Sequence, residues 1–246
     1  MTDIHTELIL VRHGVTSWNK GHRFQGHIDT PLDEEGLRQA ERLGARFAAE
    51  RGAGRPVSAV YASDLQRARE TARPIAQTLG LELRGEAGLR ERHYGAFEGC
   101  TAEDLERDHG DAFARWRARE PDFELPGGGE SLRSFYARVS ETMHALARRH
   151  PGERIVAVTH GGFLDCAYRV ASGMPLSEQR RHDLLNASVN RIGWDGERFR
   201  LIGWADVDHL REPTEDPDPR EAACAGRSRP RNARKRPARG RIRASA

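Results

Sequence analysis

Hydrophobic positions along the chain fall into two alternating periods. Short apolar runs at residues 7–11, 57–62, 81–83 and 154–159 predict strands, and the unbroken centres Ile9-Leu10-Val11 and Ile155-Val156-Ala157-Val158 predict strands buried on both faces. Between them the spacing changes to three and four residues. Asp33 is placed to cap a helix carrying Leu37, Ala40, Leu43, Ala45 and Phe47, which residues 52–56 end. Ser63 and Asp64 are cap candidates for a second helix with Leu65, Ala68, Ala72, Ile75 and Leu79 on one face, which Pro74 is expected to kink or shorten. An irregular middle follows. A long helix is then predicted over residues 131–150 from Leu132, Phe135, Tyr136, Val139, Met143 and Leu146, with Pro151 and Gly152 ending it, and another over residues 163–171. Two late apolar runs, 189–194 and 199–204, straddle Asp195-Gly196 and predict a hairpin. Strands alternating with helices predict an α/β fold, a mostly parallel central sheet covered on both faces.

Composition narrows the picture. The 246 residues are 37% hydrophobic and 31% charged, polar for a globular protein but above the range of a chain that cannot fold, and enough for one sizeable domain. No stretch is long and apolar enough for a membrane span, and the N-terminal residues lack the pattern of a signal peptide, so a cytoplasmic protein is expected. Cys100, Cys166 and Cys224 are scattered and suggest neither a disulfide framework nor a thiolate zinc site. The net charge of +3 conceals a division: from Arg211 onward there are 11 basic and 5 acidic residues, against 29 and 32 before it. The expected organisation is therefore a folded domain over residues 1–210 and a disordered basic tail over 211–246. Residues 226–246 hold nine basic side chains, no acidic one and no aromatic one, so only weak, nonspecific polyanion binding is expected there.

The chemistry lies where the strands stop. In an open parallel sheet, ligands bind outside the carboxyl ends of the strands, and His13 and His160 each follow an apolar strand and precede a glycine. A third junction, "SDLQRARET", places Arg67 and Arg69 at a helix start, where a cation is poorly matched to the helix dipole unless an anion lies nearby. Arg12, Arg67, conditionally Arg69, and two imidazoles make a phosphate pocket in chemical terms, since guanidinium matches phosphoryl oxygens bidentately. A lone His or Arg at a strand end is ordinarily a solvated loop residue. Two His-Gly junctions with an adjacent arginine shift that reading to function.

The segments "LVRHGVTSWN", "SDLQRARET", "LRERHYGAFEG" and "VTHGG", in this order, resemble the histidine phosphatase superfamily, also called the phosphoglycerate mutase-like family, over about residues 7–210. The resemblance implies a three-layer α/β/α fold, no metal and a phosphohistidine intermediate. It implies His13 as nucleophile, Arg12, Arg67 and a protonated His160 as phosphate-binding partners, Glu91 as proton donor, and Asn19, Gln25 and Gly26 as pocket-lining positions. His93 and Tyr94 are second-rank, either orienting Glu91 or touching substrate. Ser17, His22, His27 and Thr159 lie near the motifs but also suit turn or cap roles, and His5, His109, His144, His150, His182 and His209 are read as structural or solvent-facing.

Within the family the signals are mixed. "ERHYG" and "DHGDAFARWRARE" resemble the phosphoglycerate mutase branch, but its Trp-Arg-Arg cluster is here Trp116, Arg117, Ala118. The short connection "EPDFELPGGGES" and the stretch "NASVNRIGWDGERFRLIGWADVDHL" resemble the phosphatase branch. The expected function is hydrolysis of small phosphorylated metabolites without a cofactor. The alternatives are a mutase, which would use 2,3-bisphosphoglycerate, and a noncatalytic phospholigand- or polyanion-binding protein.

Overall fold

A computed structural model describes residues 6–211. The expectations for His5, for Cys224 and for the tail from residue 212 onward lie outside the described residues.

Strands β1 (Thr6–Arg12), β2 (Ala59–Ala62), β3 (Leu83–Gly85), β4 (Arg154–Thr159), β5 (Val189–Trp194) and β6 (Phe199–Asp206) form one sheet in the order β3-β2-β4-β1-β5-β6. The first four are parallel to one another, and the hairpin β5–β6 joins the edge of β1 antiparallel. Because side chains alternate along a strand, β1 sends Leu8 and Leu10 to one face and Ile9 and Val11 to the other, and β4 likewise divides Ile155 and Ala157 from Val156 and Val158. Helices α6 (Leu132–Arg149) and α7 (Gly161–Ser172) close the first face with Phe135, Val139, Met143, Phe163 and Leu164. Helices α2 (Glu34–Gly52) and α3 (Gln66–Leu79) close the second with Leu43, Phe47, Ala72 and Ile75. The three-layer α/β/α sandwich is the expected one. Among the described residues no helix is long and apolar enough to cross a membrane.

Several local expectations are corrected. Strand β3 begins two residues later than read, because Leu83 is only half-buried and its two successors are exposed, leaving little apolar signal to set its ends. In α2 the buried stripe is Gly36, Ala40, Leu43 and Phe47, so Leu37 and Ala45 face solvent. Asp33 caps that helix as expected, accepting from the Gly36 amide. Neither Ser63 nor Asp64 caps α3: Leu65 is its N-cap, and Asp64 is taken instead by Arg90 in a bidentate pair at 2.6 and 2.7 Å. Pro74 lies inside α3, which runs on past it to Leu79, and its carbonyl packs against Gly44 of α2. The irregular middle contains two short helices, α4 (Ala102–Asp108) and α5 (Gly110–Arg117), around a separate aromatic cluster of Phe97, Phe113 and their neighbours.

Candidate active site

The parallel strands end on one side of the sheet, and two of those ends supply the histidines. After β1 the chain turns at Gly14, whose amide donates to the Thr71 hydroxyl at 2.9 Å, while Val15 donates to Gln39 at 3.0 Å. A Cβ on Gly14 would strike the Gly36 backbone, so only glycine lets the turn sit this close to α2. The junction is thereby fixed to both α2 and α3, with His13 inside.

His13 is 3% exposed, and its Nδ1 donates to the Gly14 carbonyl at 2.7 Å, which leaves the lone pair on Nε2. Burial, then the charges of Arg67 and Arg12, push its pKa well below the ordinary histidine value, outweighing the Gly14 bond. The ring is therefore neutral at physiological pH. Asn186 steadies the turn by donating to the carbonyls of His13 (3.0 Å) and Gly14 (3.3 Å).

His160, at the end of β4, is fully buried with its ring 5.2 Å from that of His13. Burial, Arg67, His13 and Arg12 push its pKa well down too. These surroundings favour the neutral ring, whereas the protonated His160 expected above belongs to the site with a phosphoryl group bound. The ring also lies behind the cavity wall rather than on it. Both of its nitrogens, with Nε of Arg12 and Nε of Arg67, are buried polar atoms lacking a hydrogen-bond partner. Buried polar groups are normally satisfied, so four orphans on residues grouped around one neutral imidazole mark a place made for a polar ligand.

The arginines are themselves fixed. Arg67, fully buried, donates to the carbonyls of Ile28 (2.9 Å) and Gly26 (2.8 Å), and burial lowers its pKa to about 10 despite Glu91 and Asp29. Arg12 donates to the Leu184 carbonyl, and burial lowers its pKa against the opposing charge of Glu91. Arg69, by contrast, is exposed on the outer side of α3 and takes no part.

Glu91 is 8% exposed, with one carboxylate oxygen accepting from the Arg92 amide (2.8 Å) and the other from the Gly162 amide (2.9 Å) near the start of α7. A Cβ at residue 162 would collide with that carboxylate. Asn19 closes a capping box with Thr16 on the short helix α1 (Ser17–Lys20), and Gln25 accepts from the Thr30 hydroxyl at 2.8 Å.

Two adjoining cavities open over these residues. One, about 520 Å³, is lined by Arg12, His13, Asn19, Gln25, Gly26, Arg67 and Glu91, with Trp18, His22 and Asn186. The other, about 590 Å³, holds Arg92, Trp116, Arg117, Arg119, Phe135, Asp165 and Gln179. Arg12, Glu91, Tyr94 and Arg180 line both. Seven of the eight expected site residues thus share one wall, with His160 just behind. Of the second-rank residues, Tyr94 and His22 reach the cavities, whereas His27 and His93 do not. His27 instead donates to the Glu91 carbonyl at 2.8 Å, and Thr159 donates to the Leu89 carbonyl at 2.7 Å.

The sequence reading missed Asn186, Arg180, Arg119 and Asp165. The first two sit in a loop without periodicity. Arg119 has a left-handed backbone (φ 57°), and it donates to Asp165 at 2.7 Å. Asp165 also lies 3.2 Å from both His182 and buried Arg169, and despite burial His182, Arg119 and Arg169 hold its carboxyl far below the ordinary range. Among the described residues, no group of three or more His, Cys, Asp or Glu side chains is placed to hold a metal ion.

The family model of the histidine phosphatase superfamily (branch 1) matches residues 8–207, nearly the whole described chain. The chain belongs to this superfamily. Among its relatives are phosphoglycerate mutase-like protein 4 of Arabidopsis thaliana, 39% identical over 210 residues covering 85% of this chain and 88% of the relative. A second is the metal-independent phosphoserine phosphatase of Arabidopsis thaliana, 39% identical over 207 residues, 83% of each chain. The solved mycobacterial glucosyl-3-phosphoglycerate phosphatase superposes with a TM-score of 0.69 at 30% identity, over 82% of this chain and 99% of that one. Membership in the histidine phosphatase superfamily, with relatives so named, supports an enzyme of the phosphatase kind.

Proposed function

We propose that this chain hydrolyses small phosphate monoesters through a phosphohistidine formed on His13. The observation that carries the reading is His13 itself: neutral, buried between two guanidiniums, with Nδ1–H committed to the Gly14 carbonyl and Nε2 left as the nucleophile. In the first step the Nε2 lone pair forms a P–N bond as the P–O bond to the alcohol breaks, and Glu91 gives a proton to the departing oxygen. In the second, Glu91 takes a proton from water as the water oxygen attacks phosphorus, and phosphate leaves His13 neutral. Arg12 and Arg67 hold the phosphoryl oxygens throughout, the positioning and electrostatic work that dominates phosphoryl transfer. A phosphoryl dianion offsets the cations around His160, so that ring takes up a proton and adds a donor when the dianion binds. Guanidinium and imidazole meet the phosphoryl charge, and the mechanism calls for neither a metal nor a dissociable cofactor.

Hydrolysis rather than isomerisation is supported by the short connection ahead of α6, residues 120–131, which lines neither cavity and is tied down against residues 93–97: Ala96 donates to the Pro126 carbonyl at 2.7 Å and Glu130 to that of His93 at 2.9 Å. The larger cavity supports a substrate class. Arg12, Arg92, Arg117, Arg119 and Arg180 outnumber Glu91 and Asp165 there, a surplus of positive charge suited to an alcohol that carries its own anion. A screen of phosphate esters with and without 2,3-bisphosphoglycerate, scoring free phosphate and isomer separately, tests both points. The expected result is free phosphate without the bisphosphate, and 3-phosphoglycerate preferred over glycerol 3-phosphate. Isomer formed only with the bisphosphate would establish a mutase instead.

A further inference from the structure

Residues 90–94, which carry Glu91, belong to no helix or strand, yet Glu91 must hold its carboxylate against the amide of Gly162 on another element. The fixing point is Arg138, in the second turn of α6 and outside both cavity walls. Its Nη1 donates to the carbonyls of Gly88 (3.0 Å) and Arg90 (2.9 Å), and its Nη2 to that of Glu91 (3.1 Å). Nε and Nη2 also grip the two Glu130 oxygens at 2.9 and 2.8 Å. Glu130 in turn accepts from the His93 amide at 2.8 Å through its carboxylate and from Arg92 at 2.7 Å through its carbonyl. The segment is therefore tied to one planar cation through Gly88, Arg90 and Glu91 itself, and beyond Glu91, at His93, to the carboxylate that aims that cation. A lysine offers a single nitrogen and cannot reach three carbonyls and a carboxylate at once.

We infer that Arg138, aimed by Glu130, is a positioning residue for Glu91, setting the angle from which that carboxyl delivers its proton to the leaving oxygen. The inference rests on Glu91 acting as the proton donor. A residue that only stabilises the loop would affect every substrate alike. One that orients the acid matters where the departing oxygen needs a proton, in alkyl esters, and little where it leaves unaided, in activated aryl esters.

The test compares wild type, Glu91→Gln, Arg138→Gln and the double variant, as full chains, on glycerol 3-phosphate and p-nitrophenyl phosphate. Arg138→Gln is expected to lower kcat about 10- to 100-fold on the alkyl ester and less than about threefold on the aryl ester, with KM little changed. In the Glu91→Gln background the alkyl-ester loss from Arg138→Gln should shrink to less than about threefold, because the group it positions is gone. Equal losses on the two esters, or an undiminished loss in the double variant, overturn the inference while leaving Glu91 as the acid. A Glu91→Gln variant indifferent to the leaving group defeats the acid reading, and the inference falls with it. Should Arg138→Gln not fold, Glu130→Gln keeps the guanidinium but frees it, and the same selective loss is expected. Equal losses there are equally decisive against it.

Discussion

At the scale of single residues, the proposed mechanism depends on keeping one imidazole uncharged in a cluster of cations. Burial and the charges of Arg67 and Arg12 lower the His13 pKa, so its nucleophilic form persists to lower pH than in a free histidine. The free enzyme's acid limb in kcat/KM, corrected for the substrate's own second ionisation, is therefore predicted below pH 6.5, and a limb at or above that value would contradict this electrostatic account. His13 and His160 were legible in the sequence because each interrupts a strong apolar run with a polar residue and a glycine. Arg119, Arg180 and Asn186 were not, since they lie on loops where neither periodicity nor motif separates a pocket residue from a solvated one. Arg69 shows the converse: the same helix-start argument that finds Arg67 also selects Arg69, and only the rotation of α3 decides between them.

At the scale of elements, the opposite end of the sheet is tied by a partly buried ion cluster linking α2, β1, β4 and β5. Glu50 accepts from Arg191 (2.5 Å), Arg154 (3.0 Å) and Arg46 (3.3 Å), Arg154 also pairs with Glu7 (2.7 Å), and Arg46 reaches Asp206 on β6 (2.6 Å). Burial alone would raise the Glu50 pKa, but the three arginines outweigh it, and Arg46 lowers Asp206 to about 2. Replacing Glu50 by Gln leaves three guanidiniums short of an anion and is predicted to cost about 3 kcal/mol, a melting temperature lower by about 6–12 °C. Turnover at 25 °C should be unaffected. Both carboxylates have depressed native pKa values, so the stability they supply is complete above the unfolded value near pH 4 and is lost as pH falls through the native ones. Melting of wild type should therefore decline below about pH 4.5, and that of Glu50→Gln less steeply. A variant that melts like wild type would show the cluster contributes nothing. Long buried strands such as β4 were legible to the residue because both faces are apolar. The exposed β3 and the helices α4 and α5 were not, because their short segments bury too few residues to set a period.

At the scale of the whole molecule, the candidate site is assembled from strand ends on the described body, and every group the proposed mechanism uses lies between Arg12 and His160. A chain ending at Arg211 is accordingly predicted to keep turnover and melting temperature, whereas loss of either would make the remaining residues part of the enzyme. The central claim is a covalent bond to one nitrogen. Brief mixing with substrate, denaturation without acid and peptide mass spectrometry test it most directly. The account predicts a phosphoryl group on His13, stable in base and lost in acid, with none on His160, and neither adduct nor turnover in His13→Ala. Hydrolysis persisting in His13→Ala without an adduct would contradict it.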